Sequence, residues 1–131
     1  MVSIFTLPLP STDLAEGPAI TDSDKGLRIH LTFCLDGDDP GIEVVLRFDR
    51  ARAYRKISEI YCTPEQINRA YDTVYELHES SWVKQLKDAC PSEWKERWVL
   101  RHFMLYIDSF GCFEVIAESV NIESAGSPGG K

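Results

Sequence analysis

The chain has 131 residues, 44% hydrophobic and 11% aromatic, with 21 acidic side chains against 14 basic ones and a formal net charge of −7. That is enough apolar material for one domain with its own core, and it removes the need for disulfide staples. An acidic surface repels phosphate backbones and so excludes general nucleic-acid binding, while remaining compatible with a protein partner, a basic one included, or with a homodimer.

The N-terminus, Met-Val-Ser-Ile-Phe-Thr-Leu-Pro-Leu-Pro, is apolar but has no basic stretch and is broken by Pro8 and Pro10. It does not match a signal peptide, and no apolar run approaches the ~20 residues of a membrane helix. Cys34, Cys62, Cys90 and Cys112 are widely spaced, with no Cys-x-x-Cys among them. Four reduced thiols in a cytoplasmic protein, with no metal centre and no cofactor, is the expectation.

Val2–Leu7 can pair as an edge strand. Residues 8–26 are rich in Pro, Ser, Thr, Asp and Gly, so residues 1–26 read as an irregular arm. Leu27, Ile29, Leu31, Phe33 and Leu35 alternate with polar neighbours, as do Ile42, Val44, Leu46 and Phe48. These are two half-buried strands joined by the turn Asp36–Gly41. Arg52–Tyr61 continues as a third strand after a bend near Asp49–Ala51 that contains no glycine.

Thr63-Pro64-Glu65-Gln66 is a helix start, with Thr63 as cap, Pro64 at the first helical position and Gln66 completing a capping box. A short helix over 64–70 followed by a strand over 72–78 is expected. One continuous helix over 64–79 also fits the apolar spacing. Ser80 or Ser81 caps a second helix through Ala89, and Pro91 ends it.

Residues 98–120 form a hairpin. Asp108 suits the first position of its turn and Gly111 the left-handed position, which places Asp108 opposite Cys112. One face then holds Phe103, Leu105, Ile107, Phe113 and Val115. The other holds Tyr106 opposite Glu114, Met104 opposite Ile116, and His102 opposite Glu118. The fold expected is α+β: a mostly antiparallel sheet of five to six strands, with two short helices covering one face. It spans residues 27–123 as a single domain, followed by a flexible tail over 124–131.

The series Ser81-Trp82-Val83-x-x-Leu86, Arg101-His102-Phe103-x-x-Tyr106-x-Asp108 and Glu114-Val115-Ile116-Ala117-Glu118-Ser119 resembles small bacterial single-domain proteins of uncharacterised function. It covers about the C-terminal half. The resemblance implies a compact α+β fold and brings no catalytic residue with it. Some such proteins look similar to immunity proteins of bacterial toxin systems.

Four constellations carry functional interest. His102 and Glu118, extended by Tyr106 and Glu114, would put a carboxylate beside an imidazole, as a general base requires. With no nucleophile beside them in sequence, they also fit a solvent-facing cross-strand pair. Cys112, at the hairpin base, has no histidine beside it. Arg47, Arg50, Arg52, Arg55 and Lys56, interleaved with Phe48 and Tyr54, could bind an anion, although no glycine-rich loop accompanies them. Asp36, Asp38, Asp39 and Glu43 resemble cation ligands, but Pro40 and the flanking strands fit a solvated turn. Trp82, Trp94 and Trp98 cluster around the step from helix to hairpin. The function expected is a small acidic, non-enzymatic protein-interaction module, with an immunity- or antitoxin-like role as one version. The alternative is a small enzyme or ligand-binding domain built on the His102 face.

Overall fold

The computed structural model describes residues 2–8, 12, 14, 17–24, 26–33, 42–90 and 99–126. Cys34, the acidic turn with Asp36, Asp38 and Asp39, Trp94, Trp98 and residues 127–131 lie outside them. Among the described residues the chain runs β1 (Val2–Thr6), β2 (Ala19–Ser23), β3 (Gly26–Phe33), β4 (Ile42–Asp49), β5 (Ala53–Ile57), α1 (Pro64–Ala70), β6 (Thr73–Leu77), α2 (Ser81–Ala89), β7 (Arg101–Ile107), β8 (Gly111–Ala117) and β9 (Ser119–Gly126). A 3-10 turn, Glu59–Tyr61, precedes α1.

The fold is α+β with a five-stranded antiparallel sheet, in the order β1-β6-β7-β8-β5. A second antiparallel sheet, β2-β3-β4-β9, packs against it. The sequence pattern predicts one sheet of five to six strands; the described residues contain nine strands in two sheets. Two of the added strands lie where no apolar pattern marks them. Ala19–Ser23, inside the expected irregular arm, pairs along β3. Ser119–Gly126 pairs along β4 and carries the sheet past Ser124, where a tail was expected. Both are edge strands; Ile20 and Val120 pack on the core, and Asn121 and Glu123 bind Asp49, Arg28 and Arg47.

The core lies between the sheets. Leu27, Ile29, Leu31 and Phe33 of β3 and Val44, Leu46 and Phe48 of β4 face Val74, Phe103, Leu105, Ile107, Phe113 and Val115. The rings of Phe48 and Phe103 meet with centroids 5.8 Å apart. The apolar face of the hairpin is therefore the face expected, but a second sheet covers it. The helices cover the opposite face. Ala70 of α1 is fully buried there against Met104, Tyr106 and Cys112.

Local signals decide the helix boundaries. Thr63 Oγ1 accepts from the Gln66 N–H while Gln66 Oε1 accepts from the Thr63 N–H, which completes the capping box. The helix stops at Ala70. Asp72 then takes a left-handed φ of 51°, and the chain turns into β6, in agreement with the helix-then-strand reading. At the corner between the sheets, Arg50 takes φ 52° and supplies the bend that lacked a glycine. Two backbone bonds close this corner, Arg52 N–H to Ile116 O and Glu118 N–H to Asp49 O, at 2.7 and 2.9 Å.

The final hairpin corrects the expected register. Its loop is Asp108–Phe110, with Ser109 at φ 71°, and Gly111 already pairs with Ile107. The two strands are thus slipped by two residues from the expected pairing: Met104 lies opposite Glu114 and His102 opposite Ile116. A two-residue slip leaves every side chain on its own face, because the pleat has a period of two. It changes only which residues meet.

Candidate functional site

On the helix-covered face of the five-stranded sheet, β7 contributes His102 and β8 contributes Glu114. They are only 3% and 1% exposed. His102 Nε2 lies 2.6 Å from Glu114 Oε1 on the diagonal of the ladder. Diagonal neighbours two residues apart are within reach of long side chains, and the imidazole leans along the strand to meet the carboxylate. The expected partner, Glu118, is elsewhere. It sits at the corner between the sheets, with its carboxylate 3.9 Å from the Arg50 guanidinium.

Glu114 is the hub of the cluster. Arg55, from β5, donates to its Oε1 at 3.1 Å. Gln66 Nε2, from α1, donates to its Oε2 at 2.8 Å. The Gln66 side chain therefore caps its own helix through oxygen and ties that helix to the sheet through nitrogen. Burial pushes the Glu114 carboxyl upward, but the His102 hydrogen bond and the Arg55 charge outweigh it and hold the group below the usual glutamate range.

The other side of His102 is served by α2. Ser80 Oγ lies 2.7 Å from His102 Nδ1 and accepts the Val83 N–H at 3.0 Å. The pattern is completed by the Nε2–H tautomer: Ser80 donates to Nδ1 and Nε2–H donates to Glu114. Trp82 stands edge-on to the imidazole, with centroids 5.4 Å apart. The Arg55 guanidinium lies over the Trp82 ring, 4.0 Å from its centroid. Ser80, Trp82, His102, Glu114, Arg55, Gln66 and Arg69 line one cleft of about 270 Å³ between the helices and the sheet.

Ser80, His102 and Glu114 thus form a hydroxyl–imidazole–carboxylate row. Chemically such a row can pass a proton from the hydroxyl to the imidazole. It can equally be a satisfied polar joint fastening α2 and α1 to the sheet, since each of its heteroatoms already has a partner. Ser80 was legible only as a cap. No spacing in the sequence announces that its hydroxyl meets a histidine 22 residues later.

Tyr106 shares the face but not the cluster. Its hydroxyl donates to Glu59 Oε2 at 2.8 Å, and the Ser109 N–H donates to the same oxygen. Burial first, and then this hydrogen bond, push the phenol above its ordinary range. The same bond holds Glu59 below its usual range, followed by the bond from Ser109. Cys112 is buried, and burial pushes its thiol up to about 12, so it offers no thiolate near neutrality. Cys62 is pushed up as well, mainly by burial.

The basic cluster is divided by the pleat of β5. Arg55 lies opposite Glu114 and turns to the helix side, whereas Tyr54 and Lys56 lie opposite Val115 and Phe113 on the other face. Lys56 Nζ stands 6.0 Å from the Phe113 ring centroid. Arg50 is at the corner. Arg47 is paired with Asp49 and Glu123. Among the described residues no cluster of histidine, cysteine and carboxylate side chains could hold a metal ion. No helix there is long and apolar enough to cross a membrane.

Comparison with known proteins finds no family model, no curated protein and no solved structure that matches this chain.

Proposed function

We propose that this chain is a non-enzymatic protein-interaction module, with an immunity- or antitoxin-like role as its concrete form. One observation carries the reading. His102 and Glu114 are buried and each of their polar atoms is hydrogen-bonded, while the large apolar side chains at the 3-10 turn stand in solvent: Ile60 is 81% exposed and Tyr61 75%. The pedestal beneath them is fastened. Tyr61 N–H bonds Ser58 O at 2.8 Å, and Glu59 is anchored to both Tyr106 and Ser109. An aromatic and aliphatic pair on a well-held turn is the kind of anchor that fills a pocket on a partner, with little backbone entropy left to lose. The net charge of −7 favours long-range encounter with a basic protein.

Affinity capture with the wild-type chain, followed by reconstitution from the purified partner, tests this. Ile60→Ser with Tyr61→Ser should weaken the reconstituted complex by more than about tenfold, the effect of losing a hot spot, with an unchanged melting curve. A complex that ignores both substitutions contradicts the reading, and so does the absence of any stoichiometric partner.

The row Ser80–His102–Glu114 in a cleft favours a second reading, acyl transfer with Ser80 as nucleophile, His102 as base and Glu114 as the group orienting it. A fluorophosphonate probe would label Ser80 in that case, and Ser80→Ala and His102→Gln would abolish the labelling. An unlabelled wild-type chain removes this reading.

A further inference from the structure

Residues 47–56 hold five of the chain's 14 basic side chains and only one acidic one, Asp49, in a protein of net charge −7. Of these, Arg50, whose guanidinium is 3.9 Å from the Glu118 carboxylate, lies at the approach to β5 and Lys56 lies on the strand itself. β5 is the terminal strand of its sheet and pairs only with β8 among the described strands, so its outer backbone edge has no neighbouring strand. Arg50, at its approach, has 70% of its side chain exposed. Tyr54 is 49% exposed. Among the described residues Lys56 has no carboxylate within ion-pair distance, and its ammonium stands over the Phe113 ring. Arg55 is fixed on the opposite face by Glu114 and Trp82. The edge runs directly into the 3-10 turn that carries Ile60 and Tyr61.

A strand edge presents unpaired N–H and C=O groups and pairs with any extended chain that can reach it, unless charge forbids it. Lys56 and Arg50 repel their counterparts on a second β5 edge, which disfavours pairing of this edge with itself. The same charges attract a strand carrying carboxylates at alternate positions, which would meet Lys56 on one face and approach Arg50 at the end.

Resting on the interaction reading above, we infer that β5 takes an acidic, extended segment of the protein partner as an added antiparallel or parallel strand, with Ile60 and Tyr61 seated beside it. The segment is acidic whatever the charge of the rest of the partner, because the exposed side chains it would meet at β5 are the cations Arg50 and Lys56.

The probe is a short fluorescein-labelled peptide of alternating valine and glutamate. Its controls are the same peptide with lysine for glutamate, and with alternate backbone nitrogens methylated. Anisotropy at low salt should saturate with the glutamate peptide only. Backbone amide NMR signals of residues 53–57 should shift and gain exchange protection. Arg50→Gln with Lys56→Gln, both exposed and outside the core, should weaken binding by at least about tenfold, with the melting curve unchanged. Absence of binding, shifts confined to other residues, or equal binding of the methylated peptide would overturn the inference. Concentration-dependent self-association through Asp22 and Asp24 of a second copy's β2, competed by the peptide, would also overturn it. Loss of peptide binding alone, with a partner still held through Ile60 and Tyr61, removes this inference and leaves the interaction reading standing. Loss of both removes both.

Discussion

His102 and Glu114 meet at 2.6 Å although they are not opposite each other in the ladder, and both are sealed from solvent. The pair joins four separate pieces of chain. Arg55 reaches it from β5, Gln66 from α1 and Ser80 from the start of α2. A buried ion-paired cluster of this kind is sensitive to losing one member, because the remaining groups are left without compensation.

Glu114→Ala should therefore destabilise the fold by about 3–5 kcal/mol. Urea denaturation of the variant measures it. Glu118→Ala should change stability by less than about 0.5 kcal/mol, because Glu118 is a partly exposed corner residue. A reversed order would place the hub at the wrong glutamate. A double-mutant cycle between His102→Gln and Glu114→Gln should show coupling well above the noise of the measurement.

Ser80→Ala removes a cap from α2 and a hydrogen bond from His102 Nδ1. Together these should cost about 2–3 kcal/mol. The exposed neighbour Ser81 tests specificity, since Ser81→Ala should stay within about 0.5 kcal/mol of wild type. Equal effects at the two serines would mean that α2 is capped differently.

Gly111→Ala should destabilise by at least about 2 kcal/mol. Its φ of 112° is unfavourable for any side chain, and an added Cβ would collide with the carbonyl oxygen of Ile57. Thermal unfolding reads the loss directly. Phe103→Ala, in the layer between the sheets, should cost about 3–5 kcal/mol by cavity formation.

Acid should weaken the fold through identifiable carboxylates. Glu76 is held below its usual range first by its hydrogen bonds from Arg101, at 2.7 and 2.8 Å. Glu114 is held low once His102 and Arg55 outweigh its burial. Exposed Glu123 is held down to about 2, mainly by Arg28. Each of these groups has a lower pKa folded than unfolded. Their contributions are thus complete above the unfolded glutamate value of ~4.3 and disappear as pH falls through the folded values. Urea midpoints should be lower at pH 3 than at pH 5, and Glu76→Gln should reduce that difference. A midpoint that rises on acidification would contradict the assignment.

Much of this architecture could be read from the chain because it is local. The alternation Leu27-Ile29-Leu31-Phe33 places one face of β3 in the core whatever lies opposite. The capping box at Thr63 and Gln66 starts α1 through contacts only three residues apart. Even the two faces of the β7–β8 hairpin follow from a pleat of period two, so Phe103 and Val115 are core in either register. What the sequence alone could not decide was long-range. One turn residue, Ser109 at φ 71°, lets the three-residue loop sit one position earlier than a turn closed by Gly111, and that slip exchanges Glu118 for Glu114 as the partner of His102. β2 and β9 carry no strong apolar alternation, and they exist because β3 and β4 offer open edges. The encounter of Ser80 with His102, and of Arg55 with Glu114 59 residues away, depends on how α2 and β5 are laid against the sheet. Local periodicity determines which face a side chain takes. Tertiary packing alone decides which side chain it meets there, because that depends on how separate elements close on one another.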